Sequence, residues 1–230
     1  MTRLHYFEQK MEQFMTHVFN SKAELAAKLC ANIDALERTH FQEHPNDFFV
    51  VAVAGGSLPS MLKDLRPSTP AKWKILLADE RIVPSDHEDS NTKLLYQYLP
   101  IPKENIITIN PSLEPAACAL DYESKIKAIL PLNLALLGMG PDGHICSLFP
   151  NHPLLKSTKI VDSISDSPKP PPKRVTLTFP ILNNQKTVRY LVATGATKKE
   201  AIKGAIEKDM SLPVSHLSDM TMWLDSDAVP

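Results

Sequence analysis

The sequence predicts an α/β fold: a doubly wound, mostly parallel sheet flanked by helices. Three observations lead there. Short apolar runs are continuous rather than alternating, which suits strands buried on both faces. Helical patterns lie between several of them, as crossover connections require. Six of the seven glycines end an apolar run: Gly55 and Gly56 follow FFVVAVA, Gly138, Gly140 and Gly143 follow LNLALL, and Gly195 follows RYLVAT. Glycine there lets the backbone turn sharply and approach a ligand.

In chain order, Met11, Met15, Val18, Leu25, Leu29, Ile33 and Leu36 recur at helical spacing and predict a helical N-terminal segment. Ser21 and Glu24 read as a capping box, so a break between two helices is expected near Asn20. Strands are expected over 48–54, 74–78, 106–109, 132–137, 175–177 and 188–193. Helices are expected over 58–65, 91–99, 115–130 and 198–208. The proline-rich segment 165–174 reads as a rigid surface loop rather than a linker, because strand pattern resumes directly after it. A length of 230 residues is compatible with one domain, 1–230.

A formal charge of -1 provides no global basic field, so neither nucleic acid nor an anionic membrane is an expected partner. The three cysteines, Cys30, Cys118 and Cys146, form no Cys-x-x-Cys pair and suit a reducing compartment. The N-terminus carries charges throughout and lacks an apolar signal core, so the expected location is the cytoplasm.

Gly138-Met-Gly140-Pro-Asp-Gly143 formally matches the dinucleotide fingerprint. That motif needs a full helix after the glycines, and Pro150 and Pro153 would stop one within about two turns. The same loop carries Asp142 and His144, and an imidazole suits acid and base work near neutral pH. The bland alternative is a histidine that caps a short helix or donates to a carbonyl. Cys146 is too close in sequence to face His144 from a helix, and His144, His152 and Asp142 lack any zinc-ligand spacing.

Gly55-Gly56-Ser57, ahead of the expected helix at Leu58, offers amides and a hydroxyl suited to a phosphate, although an ordinary N-cap serine fits as well. No Gly-Lys-Ser/Thr or Gly-x-Ser-x-Gly motif occurs. Arg81 and Lys198 each follow a predicted strand and could neutralise a phosphate, though either alone would ordinarily be surface charge.

Together these segments resemble 6-phosphogluconolactonases of the glucosamine/galactosamine-6-phosphate isomerase superfamily. The blocks carrying the likeness are residues 136–150 (LLGMGPDGHICSLFP), 78–84 (ADERIVP), 174–178 (RVTLT) and 192–195 leading to Lys198. Gly55-Gly56-Ser57-Leu58, Asp86-His87 and the run 164–172 look like the eukaryotic branch. Segment 212–230 lacks the usual glycine turn before Trp223. Glucosamine-6-phosphate deaminases share the Asp-Gly-His loop but carry Asn-Glu-Pro soon after it and a tyrosine in place of Arg81.

The resemblance implies a glucosamine-6-phosphate isomerase/ribose-5-phosphate isomerase-like fold. It also implies hydrolysis of 6-phospho-D-glucono-1,5-lactone to 6-phospho-D-gluconate, the second step of the oxidative pentose phosphate pathway. The partner is then a small phosphosugar lactone, and no metal or organic cofactor is required. Its phosphate is expected at Gly55, Gly56, Ser57, Arg81 and Lys198. His144 is expected as the base and Asp142 as its orienting group, with amides of the glycine loop receiving the oxyanion and Arg174 also reaching the site. The alternatives are a glucosamine-6-phosphate deaminase or related phosphosugar isomerase and, from another class, a noncatalytic phosphosugar sensor.

Overall fold

A computed structural model describes residues 15–230. Its main sheet has seven strands, all parallel, in spatial order β1 (Thr16–Phe19), β10 (Met220–Asp225), β9 (Val188–Ala193), β6 (Leu134–Gly138), β2 (Phe49–Val53), β3 (Trp73–Leu77) and β5 (Ile106–Ile107). A smaller antiparallel sheet orders β4 (Asp79–Arg81), β8 (Arg174–Leu177) and β7 (Val161–Ile164). The helices are α1 (Lys22–Glu43), α2 (Leu58–Met61), α3 (Asn91–Tyr98), α4 (Pro115–Ile126), α5 (Phe179–Leu182) and α6 (Lys199–Glu207), with 3-10 turns between them. This is the expected doubly wound α/β architecture.

The winding determines where a ligand can sit. From β2 the chain proceeds to β3 and β5 on one side, then returns to β6 and proceeds to β9 and β10 on the other. The direction reverses between β2 and β6, and in open parallel sheets the crevice opens at the carboxyl ends of such a pair. Every residue of β2 is buried, and β6 is buried through Leu137. Continuous apolar runs without turn residues are what a central strand needs when both of its faces are covered.

The N-terminal reading requires correction. Thr16–Phe19, expected within a helix, is a strand paired in parallel with β10; Met11 to Phe14 lie outside the described residues. The capping box does open α1: Ser21 Oγ accepts the Glu24 N–H at 3.1 Å, and Glu24 Oε2 accepts the Asn20 N–H at 3.1 Å. The helix expected over 58–65 shortens to α2. Leu62 turns back to Pro59 O, and the Asp34 carboxylate takes the Arg66 N–H at 3.0 Å, drawing the chain off the helical path. Ahead of β10, the turn is made without glycine. Asp219 adopts φ +43°, a region that aspartate tolerates better than most residues.

Candidate active site

Four neighbouring strands, β9, β6, β2 and β3, deliver the site. Their carboxyl ends run directly into Gly195 and Lys198, the loop Gly138–His144, Gly55–Ser57, and β4 with Arg81. A cleft of about 330 Å³ opens over these ends. Gly55, Gly56, Ser57, Arg81, His144 and Lys198 all line it, whereas Asp142 stands behind His144.

The glycine loop is shaped around one side-chain pair. Gly140 N–H donates to His144 O at 2.9 Å and Gly143 N–H to Gly140 O at 3.0 Å, with Gly143 at φ +75°. No helix follows, which removes the dinucleotide reading on structural grounds. His144 Nδ1 lies 2.5 Å from Asp142 Oδ1. Burial opposes ionisation of Asp142, but the hydrogen bond from His144, its charge and Lys169 together hold the carboxyl below its ordinary pKa. An ionised carboxylate only accepts, so Nδ1 carries the proton and Nε2 is left with the lone pair. Among the described residues Nε2 has no protein partner. Burial, with a contribution from Lys169, lowers the His144 pKa below 6.5 despite the attraction of Asp142. The imidazole is therefore neutral at neutral pH. Phe149 closes its other side, ring centroids 4.8 Å apart.

Arg81 owes its placement to Glu80. That buried carboxylate accepts from Asn91 N at 2.8 Å, from Thr92 N and Thr92 Oγ1 at 2.7 Å each, and from Ser90 Oγ at 3.1 Å, so β4 is pinned to the start of α3. Arg81 Nη1 donates to Asp89 O at 2.7 Å, while its buried Nε has no partner. The Lys198 ammonium has no hydrogen bond or ion pair among the described residues. Burial and the nearby charge of Lys169 lower its pKa. An arriving anion would relieve both effects. The amides of Gly55, Gly56 and Ser57 donate to no backbone acceptor, and Ser57 makes no side-chain cap bond, so the N-cap alternative is not what the serine does.

One expectation narrows. The amides of Gly140 and Gly143 are spent inside the loop and do not face an oxyanion. Gly195 N–H is likewise bound to the Asp225 carboxylate at 2.9 Å. Arg174 lines the cleft as expected, while its guanidinium also serves carbonyls of the proline-rich loop. That loop lies on the surface as expected, and it also brings Lys169 into the cleft wall. Asp79 and Asn91 were also missed. Asp79 Oδ2 accepts from Ser147 Oγ at 2.8 Å, and Asn91 Nδ2 donates to Asp79 O at 2.8 Å. The adjacent Glu80 and Ser90 were the available signal: a charged triplet after a strand, followed by an N-cap.

Comparison with known proteins agrees with this geometry. The model of the family described as glucosamine-6-phosphate isomerases/6-phosphogluconolactonase matches residues 20–223. Human 6-phosphogluconolactonase is 42% identical over 236 residues, covering 92% of this chain and 91% of that protein. The crystal structure of 6-phosphogluconolactonase from Thermotoga maritima superposes with a TM-score of 0.80 at 26% identity, covering 92% of this chain and 99% of that one. The Trypanosoma cruzi 6-phosphogluconolactonase structure has the same TM-score and identity, with coverages of 94% and 95%.

Proposed function

The chain belongs to the family of glucosamine-6-phosphate isomerases and 6-phosphogluconolactonases, and we infer from this that it is a lactonase that hydrolyses 6-phosphogluconolactone to 6-phosphogluconate. The observation that carries the chemistry is the Asp142–His144 pair, presented with Nε2 free at a cleft that also holds the unpaired Lys198 ammonium and the orphaned Arg81 Nε. The substrate is a small phosphosugar lactone, and we take the 1,5-lactone as the form bound. Its phosphate is held by the free amides of Gly55–Ser57 with Arg81 and Lys198, where partial burial strengthens each charged hydrogen bond.

His144 Nε2 takes a proton from water as the oxygen attacks the lactone carbonyl carbon. Asp142 steadies the imidazolium that forms. When the tetrahedral intermediate collapses, the bond from carbonyl carbon to ring oxygen breaks, and His144 returns the proton to that oxygen. The product is an open-chain hydroxy acid, whose carboxyl group then releases its proton to solvent. Acid and base work of this kind contributes roughly 10²–10⁴-fold.

Deamination is disfavoured by two local features. The glycine loop is followed by Ser147-Leu148-Phe149-Pro150 rather than Asn-Glu-Pro, and Arg81 rather than a tyrosine borders the cleft. Among the described residues no helix is long and apolar enough to cross a membrane. A single domain is part of the same proposal, as is cytoplasmic residence, which three buried, unpaired cysteines support. The test is a lactonase assay on purified protein against spontaneous hydrolysis, run beside glucosamine 6-phosphate. Accelerated lactone opening without ammonia or isomer release supports the reading; ammonia or isomer release with no lactonase activity replaces it.

A further inference from the structure

The loop between β7 and β8 is built as an arm. Buried Arg174, at the start of β8, donates Nε to Pro171 O at 2.9 Å and Nη2 to Lys169 O and Pro170 O at 2.8 and 3.0 Å. Ser167 Oγ adds a bond to Lys169 O at 2.8 Å. One guanidinium fork on three successive carbonyls fixes the backbone there, because its donors lie in a rigid plane. From that fixed point Lys169 Nζ reaches 3.3 Å from Asp142 Oδ1 and 3.2 Å from His144 Nδ1. The hydrolysis described above makes no use of this ammonium.

The charges facing His144 divide into two groups. Asp142 on its own loop and Asp79 on β4 favour the imidazolium; Lys169 opposes it. Lys198, from the turn after β9, faces Lys169 and Asp142 in turn, and Arg174 stands behind the Phe149 ring with Cζ 5.7 Å from the ring centre. A general base must be unprotonated to act. Two carboxylates beside an imidazole favour its protonated form; burial opposes them most, and a nearby cation adds to that opposition.

We propose that Lys169 is a positioning residue for the hydrolysis: clamped by Arg174, its ammonium shares the Asp142 carboxylate with His144 and opposes protonation of the imidazole. This rests on the reading of His144 as the base. Lys169 fixes the carboxylate that orients the Nδ1 proton and, beside the larger effect of burial, extends to lower pH the range in which Nε2 can accept one.

The test compares the pH dependence of kcat/KM and KM in the wild-type, Lys169→Met, Lys169→Arg and Arg174→Met proteins, with the His144 ring protons titrated by NMR in each. In Lys169→Met the acidic limb and the NMR titration should both move to higher pH, because a cation that opposes the imidazolium is gone. KM on the alkaline plateau should stay unchanged. Lys169→Arg should restore the wild-type profile. Arg174→Met, with Lys169 intact but its loop released, should move the limb in the same direction. An unshifted limb and titration in Lys169→Met would overturn the proposal, as would a raised plateau KM with no shift, which would make Lys169 a phosphate ligand. His144→Ala separates the two readings: wild-type turnover there removes the base and this proposal with it, whereas an inactive His144→Ala beside an unshifted Lys169→Met removes only the lysine's role.

Discussion

Gly140 and His144 compete for one volume. A Cβ at Gly140 would lie 2.0 Å from His144 Nδ1 and 2.4 Å from Asp142 Oδ1, closer than any carbon can approach. The absence of a side chain at 140 is what allows the imidazole and carboxylate to lie across the loop backbone.

Gly140→Ala is therefore expected to displace the pair while leaving the sheet intact. Since proper placement of an acid and base accounts for roughly 10²–10⁴-fold, kcat should fall by a large part of that range. Circular dichroism should remain native, and KM should change far less than kcat. A variant with wild-type kcat would show that the pair is not needed where it lies.

Removing the cations should mainly affect binding. Lys198 has no anionic partner to leave behind, and a hydrogen bond to a charged group contributes about 1.5–3 kcal/mol, so Lys198→Ala should raise KM by roughly 10–100-fold. Arg81→Ala should do the same, with some added loss because its contact to Asp89 O also goes. In both variants inorganic phosphate should inhibit less well than in the wild type. Unaltered KM and phosphate inhibition with both residues removed would exclude them from the phosphate site.

Tyr122 offers a test of stability away from the chemistry. β5 is only two residues long and ends before Leu77, so the buried Tyr122 hydroxyl takes over as partner, accepting from Leu77 N at 2.7 Å and donating to Leu77 O at 3.1 Å. Tyr122→Phe leaves that N–H and carbonyl unpaired in the core, an expected cost of about 1–3 kcal/mol in denaturant unfolding. Kinetic constants should not change at temperatures where the variant is folded.

The sequence made the centre of the molecule legible and its margins opaque, for physical reasons. β2, β6 and β9 are buried on both faces, so their continuous apolar runs stood out, and the glycines that end them marked the cleft. Thr16–Phe19 did not stand out, because four half-exposed residues on a sheet edge are too few to separate a period of two from one of 3.6. β4 reads Asp-Glu-Arg, a strand that no apolar pattern announces; it is buried because Glu80 caps α3. His144, Asp142, Arg81 and Lys198 could be found because each lies close after a strand end. Lys169 lies 27 residues after Asp142 and meets it only through the β7–β8 arm, a contact that no sequence pattern around the lysine announces.

The central claim is that His144 is the base that activates water. It is tested most directly by single-turnover and steady-state hydrolysis of freshly generated 6-phosphogluconolactone by His144→Ala, corrected for spontaneous opening. The account predicts a fall in kcat of roughly 10²–10⁴-fold with phosphosugar binding close to wild type. Wild-type turnover in that variant would contradict it.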